Sequence, residues 1–149
     1  MSSTPKSLKI KAQDHHDLKI ISACVQDAIF PSTAMEYNSH ENRFSIIANR
    51  FMWEEETVYH EDSCLFKRVH AGLHFCHVNS VKYKLMDLKD PTKIHNLLTL
   101  HSDDKEINLL FSDKGIIRLK VEKIHCHLHD LHEPWYTPLM PYHDARTSY

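Results

Sequence analysis

Glycine is scarce in this chain, with only Gly72 and Gly115 among 149 residues. No glycine-rich turn therefore stands beside a cysteine–histidine pair to seat an oxyanion hole, which argues against Cys-His nucleophilic catalysis. A basic block is also missing: eighteen Lys and Arg are dispersed among twenty Asp and Glu, for a formal charge of -2. Such a chain does not track a phosphate backbone, and nucleic acid is not expected as a partner. No apolar run is long enough for a signal-peptide core or a membrane span, so a cytoplasmic protein without membrane contact is expected. The four cysteines, Cys24, Cys64, Cys76 and Cys126, form no C-x-x-C pair, and a disulfide framework is not expected either.

What is present fits an ordinary globular protein, 42% hydrophobic and 26% charged. Its length suits one domain over residues 1–149, with a core across 8–135 and an extended or frayed tail over 136–149. Histidine is the excess, fourteen residues against the two glycines. Their titration near pH 6.5 rivals the fixed net charge, so charge and solubility vary steeply between about pH 5 and 7.

Along the chain, Asp14 or Asp17 can cap a helix running from about His15 to Gln26, with Leu18, Ile21 and Val25 on one face. Two extended runs flank a turn over Asn38–Asn42, and WEEETVYHED reads as a solvated loop. CLFKRVHAGLHFCHVNSVKYKL reads as two strands interrupted near Ala71 and Gly72. The clearest hairpin joins Ile107, Leu109 and Phe111 to Ile117, Leu119 and Val121 through a tight turn in which Gly115 is expected to take positive φ.

The stretch IHCHLHDLHEPW holds four histidines and a cysteine in twelve residues. As a strand it sets Ile124, Cys126 and Leu128 on one face and His125, His127 and His129 on the other; as a helix it leaves His125, His129 and His132 along a ridge. Either geometry offers a ligand pair, but zinc needs three or four donors. The other dense source is HFCH, so the candidate metal residues are His74, Cys76, His125, His127 and His129, with zinc as the alternative to having no cofactor. A solvated histidine face explains the same pattern.

Polar residues embedded in apolar runs mark a second candidate. Gln26 and Asp27 close the helix, while Asn49, Arg50 and Glu54 interrupt IIANRFMWEE. Phe51 and Trp53 share one side of an extended chain there, and Arg50 and Glu54 the other. A buried Arg needs a carboxylate, which Asp27 or Glu54 can supply in a bidentate contact. Asp130 and Trp135 can join either a register-fixing network or a small ligand pocket walled by Trp53.

DLKIISACVQDAIF, NRFMWEE, LHFCHV, GIIRLKVEKI and LHDLHEPW, in this order, resemble the alphaproteobacterial family known as domain of unknown function 2948. The resemblance covers nearly the whole chain. Gln26 and Asp27 match its Q-D pair; Asn49, Arg50, Phe51, Trp53 and Glu54 match its N-R-F-x-W-E stretch; Asp130, Leu131, Pro134 and Trp135 match its closing segment. The resemblance implies no chemistry. It also marks His125, His127 and His129 as departures, since the family carries Glu, Ala or Arg there.

The expected architecture is α+β: an amino-terminal helix on a mainly antiparallel sheet of about six or seven strands, tending to curl. The expected function is that of a non-enzymatic binding or adaptor module. It would take a protein partner or small ligand around Gln26, Asp27, Asn49, Arg50, Trp53, Glu54, Asp130 and Trp135. The alternative is a metal-binding protein or metal-dependent hydrolase built on the His/Cys cluster.

Overall fold

The computed structural model describes residues 7–60 and 63–138. A short strand, β1 (Lys9–Ala12), leads into α1 (His15–Cys24), whose first turn is capped by Asp14: its carboxylate accepts from the Asp17 N–H at 2.8 Å. The helix stops two residues before the expected Gln26, with the Val25 N–H closing on the Ile21 carbonyl. Then come β2 (Ala28–Pro31), a 3-10 turn over Ser32–Ala34, β3 (Met35–Asn38) and β4 (Arg43–Phe51), so the turn expected over Asn38–Asn42 is present. The second half holds β5 (Val58–His60), β6 (Ser63–Phe75), β7 (Val78–Lys84), β8 (Ile94–Ser102), β9 (Glu106–Phe111), β10 (Ile116–Val121), β11 (Cys126–Asp130) and β12 (Trp135–Thr137).

These twelve strands form one sheet, and every pairing described is antiparallel. Its path runs β1-β11-β6-β4-β2-β8-β9-β10-β7, with β3 beside β4 and both β5 and β12 beside β6. The expected six or seven strands were too few. β1, β2, β3, β5 and β12 are only three or four residues long, too short for an alternating pattern to be read. WEEETVYHED is likewise not all loop, because β5 lies within it.

Alternation explains why one face is buried. In β9 and β10 every second residue, Ile107, Leu109 and Phe111, then Ile117, Leu119 and Val121, is inside. Phe44 and Ile46 of β4, Leu73 and Phe75 of β6, and Cys126 and Leu128 of β11 belong to the same core, as do Leu18, Ile21 and Val25 of α1. Both halves of the sheet thus curl around one core without closing into a ring. The curl brings the edge strand β7 against the β3–β4 turn, where the Val78 N–H donates to Asn42 O at 2.7 Å and the Tyr37 hydroxyl to Val78 O at 2.9 Å. Among the described residues no helix is long and apolar enough to cross a membrane.

Two local expectations are corrected. β6 runs unbroken through Ala71 and Gly72, and the chain turns instead at His77, which takes φ 58. In the β9–β10 turn positive φ falls on Lys114 (φ 73), not Gly115. The Lys114 N–H bonds Phe111 O and the Phe111 N–H bonds Gly115 O, a type I turn followed by one left-handed residue. Gly115 is small for another reason: a Cβ there would stand 2.8 Å from Met86 Cγ.

Candidate functional site

Arg50, near the end of β4, alternates in step with Phe44, Ile46 and Ala48 and is wholly buried. Its guanidinium meets two carboxylates: Nη1 and Nη2 donate to Glu54 at 2.9 and 2.7 Å, while Nε and Nη2 donate to Asp130 at 2.9 and 3.1 Å. Phe51 O takes a further contact at 3.5 Å. Burial alone would weaken the charge on Arg50, but the bonds from Glu54 and Asp130 outweigh it and push its pKa up. Burial likewise opposes the charge of Glu54, and the Arg50 contact overcomes it to hold that carboxyl below its ordinary value. Asp130 also accepts from the Leu8 N–H at 2.9 Å, tying the start of β1 to the end of β11. All the guanidinium donors are met inside the protein, in a network that ties the end of β4 to the end of β11.

The other members of that expected pocket sit on the opposite face. The Trp53 indole donates to Gln26 O at 2.9 Å and its ring lies 4.5 Å from that of Phe51. Asn49 accepts from Arg68 at 3.0 Å, and the buried Asp27, at φ 62, acts electrostatically on the same Arg68. Trp135 pairs with Arg68 through β12 and packs on His70 at 4.9 Å. The structure therefore brings Arg50, Glu54 and Asp130 together and places Gln26, Asp27, Asn49, Trp53 and Trp135 elsewhere. Pairing with β6 carries on through Tyr136 and Thr137 of the expected tail; residues 139–149 lie outside the described ones.

The histidines converge. CHLHD is the strand β11 and Ile124 and His125 lead into it, with Ile124, Cys126 and Leu128 buried and His125, His127 and His129 partly exposed. Pairing of β11 with β6 sets His127 opposite His74 and His129 opposite Gly72, and the Cys76 N–H donates to His125 O at 2.9 Å just beyond both strands. His74 and His129 stack with centroids 5.1 Å apart and planes 16° apart. They meet over Gly72, where a Cβ would lie 2.8 Å from His74 Nε2 and 3.0 Å from His129 Cε1. A glycine in mid-strand marks a close approach of side chains, here His74 of its own strand and His129 of β11.

One step along the face, the Cys76 thiol and the His125 and His127 imidazoles place one donor atom each within 4.8 Å of one another. The two Nε2 atoms are 2.8 Å apart. Burial, followed by neighbouring cationic groups, holds His74, His125 and His127 below the ordinary imidazole pKa. The Cys126 thiol, inside the sheet, is pushed well up by burial and is no ligand.

The sequence reading missed Lys9 and Lys11, which β1 sets beside His129 and His127, and Arg43 and Ser45 on β4. Their signal was the i, i+2 spacing of the two lysines, too short to be distinctive. Fold and face together define an α+β protein with a curled, open antiparallel sheet and a His/Cys cluster on its convex side. A family model for a protein of unknown function, DUF2948, matches residues 8–143, and the chain belongs to that family. No curated protein and no solved structure matches it.

Proposed function

We propose that this protein is a non-enzymatic binding module whose histidine face holds a soft divalent metal ion, with zinc as the type, between Cys76, His125 and His127. Convergence of one thiol and two imidazoles within 4.8 Å carries the reading. Ligands of a tetrahedral zinc stand roughly 3.3–3.8 Å apart, given bond lengths of about 2.0–2.3 Å, so the two Nε2 atoms at 2.8 Å would open slightly while any donors near the 4.8 Å limit close. The ligands rest on paired backbone, since Cys76 and His125 continue the β6–β11 ladder, and this limits the entropy lost on binding. Mixed sulfur and nitrogen donors favour zinc over calcium or magnesium.

Three protein ligands leave a fourth position for water or an outside ligand. That feature supports the second reading, a metal-dependent hydrolase. Metal content by mass spectrometry, on untagged protein purified without chelator, tests the first. About one zinc per chain is expected, lost in Cys76→Ser and in the His125→Gln, His127→Gln double variant while the circular dichroism spectrum stays unchanged. Substoichiometric metal in all three proteins would overturn it. The hydrolase reading requires, in addition, turnover of a nitrophenyl ester by the zinc-loaded protein and none by the variants.

A further inference from the structure

We infer that the groove beside these donors is a binding site for a small phosphomonoester, held by Lys9, Lys11 and Arg43 over a floor of His74 and His129. The inference goes beyond the metal reading and is carried by Lys9, Lys11, Arg43, His74 and His129, although Cys76 and His127 also line the groove. Register builds the site: from β1 to β4, one row across the sheet reads Lys11, His127, His74, Ser45, and the next reads Lys9, His129, Gly72, Ile47. Two lysines from the edge strand and three imidazoles from the next two strands thus share one face. Arg43, two residues before Ser45 on β4, lines the same groove.

The groove has a volume of about 440 Å³, and among the described residues no acidic one lines it. Among the described residues, the charged groups acting on His74 and His127 are His, Lys and Arg. Like charges gathered on one face repel each other, and a dianion seated among them removes that cost. Among the described residues neither Lys9 nor Lys11 has an ion-pair partner; Arg43 has Glu41 at 3.7 Å, an exposed pair that a phosphate can displace.

The floor is shaped and anchored. His74 Nδ1 is held by the Ser45 hydroxyl at 2.8 Å, which leaves its Nε2 above Gly72 beside the His129 ring. The missing side chain at Gly72 lets both rings lie low, so the groove keeps its depth. Its volume suits a small organic molecule better than a bare ion. Lysine ammoniums supply point charge to phosphate oxygens and Arg43 can supply a bidentate contact.

Isothermal titration calorimetry of the full chain tests this, with inorganic phosphate, glycerol 3-phosphate and succinate as probes. It is run on chelator-treated and on zinc-loaded protein. Saturable binding of glycerol 3-phosphate, tighter than either other probe and present in both metal states, is expected. It should weaken by at least about tenfold in Lys9→Gln, Lys11→Gln and stay unchanged in Lys82→Gln, Lys84→Gln on the opposite edge strand. No saturable binding, or equal loss in both lysine variants, would overturn the site. Succinate bound as tightly would overturn the phosphate assignment, and binding confined to the zinc-loaded form would make the anion a metal ligand and overturn the groove as a site of its own. Because the chelator-treated arm needs no metal, phosphate binding there with no zinc uptake would refute the metal reading alone.

Discussion

Arg50, a binding candidate in sequence, lies in space between two carboxylates. Its pairing with Glu54 was legible, because four residues apart on an extended chain they share a side. Asp130 was not, since it arrives from β11, eighty residues on. The Asp130 side chain is 2% exposed, so removing the cation leaves a buried carboxylate, whereas Glu54, at 39%, can return to water. Arg50→Ala should therefore cost about 3–5 kcal/mol in urea denaturation, chiefly through Asp130. A loss below about 1 kcal/mol would show that the network is not what holds β11 to β4 and would reopen Arg50 as a ligand-binding residue.

At the scale of elements, legibility followed length and locality. α1 and the β9–β10 hairpin were readable because each carries enough periodic apolar residues, and the strand form that residues 126–130 take was one of two open geometries. The turn between β9 and β10 was misplaced by one residue because Gly115 drew positive φ in the reading. Packing against Met86 accounts for that glycine, and Lys114 carries the left-handed conformation. A side chain in that region costs about 1 kcal/mol that glycine avoids. Lys114 is exposed and its side chain takes part in no described contact. Lys114→Gly should accordingly raise the stability of the whole protein by about 0.5–1 kcal/mol, read as a higher denaturant midpoint with unchanged slope. A lower midpoint would show that the turn is not strained.

For the molecule as a whole, the candidate site was half legible: the five His and Cys candidates were named from their density, but their meeting depends on pairing between β6 and β11, which no local pattern reveals. The histidine content also sets how stability responds to acid. His95 lies 2% exposed between Phe30 and Phe111, bonded through Nε2 to the Ser32 hydroxyl at 2.7 Å, and among the described residues its Nδ1 has no partner. Burial lowers its pKa, Lys93 adds to the effect, and Asp113 and Asp87 oppose it without prevailing. Below about pH 6.5 the unfolded chain therefore binds the proton more readily than the folded one. Stability is full above that pH and falls as the solution is acidified. His95→Gln should flatten the fall in melting temperature between about pH 7 and 5 relative to the parent, whatever its effect at neutral pH. Parallel curves would exclude His95 as a source of the acid sensitivity.

The row from Lys11 to Ser45 joins segments from opposite ends of the chain, Lys11 pairing with His127 across more than a hundred residues. During synthesis the first of its strands emerges long before the last. β1 must wait, unpaired on its β11 side, while β4 through β10 can already assemble. Closing so long a loop is a slow step, and here it is also the step that completes the histidine face. A partly made chain can carry most of the sheet yet lack the residues at 125 and 127, so the proposed metal and anion sites cannot form before β11 has been synthesised.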